Sequence, residues 1–152
     1  MRRDTTPIEL LAPARDLEVG KTAIMSGADA VYIGAPQFGA RKEAGNSLAD
    51  ISELCCMAHV YDCKVWATLN TIIYDDEMRR AVDLAWQLWD AGVDGLLIQD
   101  MGLLEHDLPP LRLHASTQCD NSTIDRLRWL QQTGFQRAVL ARELSPDEIG
   151  KI

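Results

Sequence analysis

The stretch "LHASTQCD", residues 113–120, puts an imidazole, two hydroxyls, an amide, a thiol and a carboxylate in one short run. On an extended strand side chains alternate, so His114, Ser116 and Gln118 share one face while Leu113, Ala115 and Thr117 take the other. A row of His, Ser and Gln suits hydrogen bonding to a substrate. It equally suits tying polar loops together, and spacing alone leaves both open. Nucleophilic catalysis fits less well. Residues two apart on a strand hold their Cβ atoms roughly 6–7 Å apart, and no G-x-S-x-G elbow surrounds Ser116, so His114 is poorly placed to activate it. Cys119 stands at odd spacing from His114, on the opposite face for as long as the strand continues.

Other apolar runs end in polar residues in the same manner. Asn70 closes "KVWATLN", Asp100 follows Gln99 at the end of "GLLIQD", and Arg142 with Glu143 closes "AVLARE". An arginine there suits a phosphate or carboxylate; an ion pair with Asp100 or Glu143 accounts for it equally well. The loop "RKEAGNS" (41–47) adds Arg41 and Asn46, as ligand contacts or as solvated loop residues. The candidate catalytic residues are thus Asn70, Asp100, His114, Ser116 and Gln118, and the candidate substrate-binding residues are Arg41, Asn46, Arg142 and Glu143.

The elements that must position them alternate. Strand-length apolar runs fall at 8–14, 29–35, 64–70, 95–100, 111–117 and 138–143. Most lack apolar–polar alternation, which predicts strands buried on both faces, as in a parallel sheet covered by helices. Between them lie helical stretches with recognisable ends. "SLADISELCCMAHVYD" opens on Ser47 with Asp50 three positions on, "STIDRLRWLQQTG" on Ser122 with Asp125, and "SPDEIGKI" on Ser145 with Pro146 and Glu148. "DDEMRRAVDLAWQLWDAG" carries Met78, Ala81, Val82, Ala85, Trp86 and Trp89 on one broad face. One junction recurs in "GADAVYIG", "GVDGLLIQD" and "GFQRAVLARE": a glycine to stop the helix, a polar residue one later, then a strand.

Strand–helix alternation leaves an open doubly wound sheet or a (β/α)8 TIM-type barrel. No G-x-G-x-x-G follows the first run, and the polar strand ends would converge on one mouth of a barrel, so a barrel is predicted. Only about six βα units are present, where a complete barrel needs about 200 or more residues. The 152 residues therefore read as a single domain, the N-terminal part of a barrel whose remainder lies elsewhere in a longer protein. Two open strand edges would then favour self-association.

Composition narrows the classes. Hydrophobic content of 47% and no run of ~20 apolar residues exclude a membrane span. "MRRDTTPIELLAPA" lacks the apolar core of a signal peptide, so a cytoplasmic address is expected. Net charge of −8 argues mildly against non-specific nucleic-acid binding by this segment. Cys55, Cys56, Cys63 and Cys119 form no C-x-x-C pair and, with His59, His106 and His114, no metal-ligand pattern; free thiols and no metal are expected.

Together, "ELLAPARD", "GADAVYIGAPQFGAR", "AGNS", "TLNTIIYDDE", "AGVDGLLIQDMGLLE", "LHASTQCD" and "VLARELS" resemble the collagenase-like peptidases of family U32, from about residue 8 to 149. The wording is closest to the subgroup that hydroxylates a cytidine of large-subunit ribosomal RNA; other members hydroxylate a transfer RNA uridine or act in oxygen-independent ubiquinone synthesis. The resemblance implies an N-terminal barrel and, in the full-length protein, an iron–sulfur cluster held by cysteines downstream of "ARELS". It implies no cofactor in this segment, which would be inactive alone. Two function classes stand: an RNA-modifying hydroxylase that takes ribosomal RNA and a small organic co-substrate, or a peptidase or peptide-binding domain.

Overall fold

The computed structural model describes residues 8–40 and 46–152. Six strands, β1 (Leu11–Ala14), β2 (Ala30–Gly34), β3 (Lys64–Leu69), β4 (Gly95–Ile98), β5 (Arg112–Ala115) and β6 (Arg137–Ala138), are all parallel and stand in sequence order. Helices α1 (Leu17–Met25), α2 (Leu48–Val60), α3 (Met78–Asp90) and α4 (Ile124–Gln132) alternate with them, and the short α5 (Pro146–Ile149) follows β6. The result is the predicted TIM-type architecture as a curled half-barrel.

Two apolar layers hold it. On the outer face Val31, Ile33, Val65, Ala67, Leu69, Leu96 and Ile98 pack with Ile51 and Leu54 of α2 and Ala81, Ala85 and Leu88 of α3 in one cluster. Such burial is worth about 1.5–3 kcal/mol per large side chain. On the inner face Ala30, Trp66 and Leu97 form a second cluster with Leu11, Tyr32 and Val139. Burial on both sides explains why β3 and β4 read as unbroken apolar runs. Register selects the inward residues: Tyr32, Trp66, Gly95 and Arg112 make one row across the sheet, and Gly34, Thr68, Leu97, His114 and Arg137 the next. Gly95 is required there. A Cβ at Gly95 would fall 2.5 Å from the Arg112 carbonyl oxygen and 2.9 Å from Cζ3 of Trp66, whose ring fills the interior beside it.

The curl brings first and last strands together. Arg137, opening β6, donates from both Nη atoms to the carboxylate of Glu9, just ahead of β1. Its guanidinium lies 5.9 Å from the Trp66 ring centroid, within cation–π range.

The recurring junction has a double purpose. Gly27, Gly92 and Gly134 all take positive φ, near +95°, +94° and +100°, and the next amide reaches back to the helix: Ala28 to Ala23, Val93 to Leu88, Phe135 to Leu130. These are glycine-stopped helix ends; α2 ends the same way with Asp62 at φ +55° in place of glycine. The polar residue then ties two strands. The Asp29 amide donates to the Leu10 carbonyl while its carboxylate accepts from the Leu10 amide at 2.7 Å. Asp94 does this with Val65 and Gln136 with Leu113. Each pair satisfies backbone groups at the N-terminal end of the sheet that the ladder leaves unpaired.

Four sequence expectations need correction. The sixth run pairs only at Arg137–Ala138, because the carbonyl of Val139 goes to the Asn121 side chain and the amide of Ala141 to the Asn121 carbonyl. The connection between β4 and β5 holds a 3-10 turn, Met101–Glu105, in place of an α-helix. The fifth run stops at Ala115, and Ser116 caps a second 3-10 turn, Thr117–Cys119. The cap of α4 is Thr123, since Ser122 donates to Asp120. The boxes at Ser47–Asp50 and Ser145–Glu148 form as expected.

Candidate active site at the mouth of the half-barrel

A cavity of about 280 Å3 opens at the C-terminal ends of the strands, the end where barrel enzymes build their sites. Its floor is the inner apolar layer: Leu11, Tyr32, Leu97 and Val139. Polar groups rise around it: Thr68 and Asn70 at the end of β3, Ser116 and Gln118 after β5, Arg15 after β1 and Arg142 after β6. Among the described residues the charged groups of the lining are these two arginines; Arg15 is held by the Asp16 carboxylate at 2.8 Å, and Arg142 has no ion-pair partner there. In a chain of net charge −8 the Arg142 cation at this mouth suits acceptor atoms and negative charge.

The polar groups are fixed by one another. Ala40 donates its amide to Asn70 Oδ1 at 3.0 Å, which orients the Asn70 amide so that Nδ2 donates to Ser116 Oγ at 3.1 Å. Ser116 Oγ also accepts from the Gln118 amide at 3.3 Å. Beneath them Asn121, fully buried, donates through Nδ2 to the Ser116 and Val139 carbonyls, both at 2.8 Å. One side chain thus joins the ends of β5 and β6 under the cavity wall.

The structure places the candidate residues unequally. Asn70, Ser116, Gln118 and Arg142 line the cavity together. His114 does not. It lies on the inner face but deeper, 3% exposed, with its ring 4.4 Å from that of Trp66. Burial, and secondarily the Arg137 cation, lowers its pKa to about 4, so it is neutral near pH 7 and away from Ser116. Asp100 turns aside as well: its carboxylate accepts from the Ile73 and Gly102 amides and holds the loop after β3. Asn46, 4% exposed, donates to the Arg15 and Gly34 carbonyls and clamps the ends of β1 and β2. Glu143 is exposed, outside the cavity lining, and Arg142 pairs with neither it nor Asp100 among the described residues. Arg41 falls outside the described residues.

Arg15, Tyr32 and Thr68 are lining residues that the sequence reading passed over. The signal was available for two of them: Tyr32 and Thr68 have the inward parity of Trp66 within apolar runs.

The thiols do not assemble a metal centre. Cys55, Cys63 and Cys119 are buried on separate elements and Cys56 is exposed. Burial pushes Cys55 up to about 12 and raises Cys63 and Cys119 as well; a cluster ligand must be a thiolate. The described residues therefore do not fit an iron–sulfur cluster, and they include no group of three or more His, Cys, Asp or Glu that could hold a metal ion. No helix among them is long and apolar enough to cross a membrane.

Comparison with known proteins gives this geometry a family. The model of peptidase family U32 matches residues 15–152. The chain is 54% identical over 145 residues to the 23S rRNA 5-hydroxycytidine C2501 synthase of Escherichia coli (strain K12), covering 95% of this chain and 22% of that protein. It is 37% identical to tRNA hydroxylation protein P1 of Bacillus subtilis (strain 168), covering 93% of this chain and 34% of that one. The chain thus spans between a fifth and about a third of the length of these relatives. Among solved structures, that of the U32 peptidase Mk0906 superposes with a TM-score of 0.69 at 13% identity, over 92% of this chain and 61% of that one, which speaks to the fold alone. With the model match running over nearly the whole chain, this protein belongs to peptidase family U32.

Proposed function

We propose that this chain is the barrel part of an RNA-modifying hydroxylase that acts on a cytidine of large-subunit ribosomal RNA in the cytoplasm, and that its mouth holds a small anionic organic co-substrate. The observation that carries the RNA half is the 54% identity to a 23S rRNA 5-hydroxycytidine synthase. The co-substrate half rests on the cavity, with its apolar floor and with Arg142 and the Asp16-paired Arg15 as its charged groups among the described residues. Its volume sits just under the ~300–1,000 Å3 usual for small-molecule sites.

In this reading the chain's own residues bind and orient. Arg142 neutralises the ligand's charge, with Arg15 beside it already paired to Asp16, and the Asn70, Ser116 and Gln118 groups fix its polar end. Tyr32, Leu97 and Val139 exclude water from its apolar part. An iron–sulfur cluster in the intact protein would be held by cysteines other than Cys55, Cys56, Cys63 and Cys119. The 152-residue chain by itself self-associates through its unpaired edges at β1 and β6. The family name keeps a peptidase in view, but among the described residues no base stands beside Ser116 and the buried thiols are protonated, so nothing in the cavity favours it.

Mass spectrometry of large-subunit ribosomal RNA tests the proposal. Deleting the gene should abolish a 5-hydroxycytidine, and the wild-type gene should restore it. Unchanged hydroxylation in the deletion strain, under conditions where the protein is normally made, would contradict it.

A further inference from the structure

We infer that Ser116 reads an acceptor atom of the ligand as a hydrogen-bond donor, and that Asn70 is the positioning residue that sets this polarity. The inference deepens the anionic-ligand reading above and rests on it. A hydroxyl has one proton to give and two lone pairs to fill. At Ser116 both lone pairs are taken, by Asn70 Nδ2 at 3.1 Å and by the Gln118 amide at 3.3 Å. The assignment of the Asn70 amide is fixed by its other end, because the partner at Oδ1 is the backbone N–H of Ala40, which can only donate. The Ser116 side chain is 1% exposed, lines the cavity, and gives its own proton to no described acceptor. What remains is a single O–H with the cavity as its outlet.

Asn70 adds to this. Its Nδ2 carries two protons, one spent on Ser116, and Asn70 also lines the cavity. Two donors, 3.1 Å apart, thus flank one point of the wall. The atom that sits there is an acceptor, such as a carboxylate or carbonyl oxygen. A ligand presenting an amine or amidinium at that point leaves both donors unmatched, which is costly in a buried site. Selection for an acceptor is then built into the wall and is separate from the general pull of Arg15 and Arg142.

An isosteric change inverts the polarity. In Asn70→Asp the carboxylate still accepts from Ala40, but its other oxygen can only accept, so the Ser116 proton turns to it and leaves the cavity. The probes are 4-fluorobenzoate, an acceptor-only anion, and 4-fluorobenzamidine, a donor-only cation of the same shape, with dissociation constants read by fluorine NMR on the intact protein. The wild type should prefer the benzoate by at least tenfold. Ser116→Ala should weaken benzoate about tenfold, Ser116→Thr should largely restore it, and Asn70→Asp should reverse the preference. In the Asn70→Asp background a further Ser116→Ala change should have no effect on benzoate, a coupling that added negative charge alone would not produce.

If Arg142→Ala weakens benzoate while Ser116→Ala leaves it unchanged, the donor inference is overturned and the anionic cavity stands. If the wild type binds no benzoate at all, both readings fall. Thermal unfolding of each variant separates lost binding from lost fold.

Discussion

His114 shows how one residue type can carry two meanings that only burial separates. In the sequence it stands two places from Ser116 and invites a role as a base. In the fold its ring lies against Trp66, with Arg137, Arg112 and Glu9 as charged neighbours, and its pKa falls to about 4, chiefly through desolvation and then through Arg137. The unfolded chain holds a histidine that protonates near 6.5. Between those values the unfolded state binds the extra proton, so the native state loses stability as pH falls from about 6.5 to 4, by roughly 3 kcal/mol. Urea unfolding across that range should show this slope, and His114→Phe should flatten it; an unchanged slope in the variant would place the titration elsewhere. Asn121 was invisible for the opposite reason. It looks like a loop residue in "QCDNST", yet its amide takes the Ser116 and Val139 carbonyls. Asn121→Ala should cost about 2 kcal/mol in urea unfolding, because two buried carbonyls lose their donor.

At the scale of elements the sequence was most readable where backbone rules are local. The junction glycines, the serine caps of α2 and α5 and the doubly buried strands each follow from a few adjacent residues, and they formed as read. The elements misread are those decided by distant partners. The last strand is cut short by Asn121, and in the connection after β4 the Asp100 carboxylate accepts from both the Gly102 amide and the distant Ile73 amide, at the start of a 3-10 turn. The junction itself yields a graded test. Gly27→Ala meets nothing within 4 Å, but φ there is +95°, so it should cost only the left-handed strain of about 1–2 kcal/mol. Gln136→Ala should cost about 1 kcal/mol through the lost tie to the Leu113 amide. Gln136→Glu, which keeps the acceptor, should cost less than Gln136→Ala in chemical denaturation; equal losses would remove the strand-tie account.

For the whole molecule, parallel order was legible, and it suffices to bring the ends of β3, β5 and β6, with Asn70, Ser116, Gln118 and Arg142, to one mouth. Asp100 and Asn46 are instead engaged by loop and strand-end backbone, because a strand-end polar residue serves loops as readily as ligands. The two edges, β1 and β6, meet through Arg137 and Glu9 and otherwise pair with no further strand among the described residues. Sedimentation equilibrium of the 152-residue chain should therefore show a concentration-dependent dimer; a monomer up to near-millimolar concentration would show that the edges are tolerated. The proposed function assigns RNA hydroxylation to the mouth. Its most direct test is the level of 5-hydroxycytidine in large-subunit ribosomal RNA from cells whose only copy of the intact protein carries Arg142→Ala, compared with Asp29→Ala. Asp29→Ala weakens a strand tie at the far end of the sheet and leaves the cavity alone. Hydroxylation should fall at least tenfold in the Arg142 variant and stay near wild type in the Asp29 variant at equal protein level. Full hydroxylation with Arg142→Ala, or a loss confined to Asp29→Ala, would contradict it.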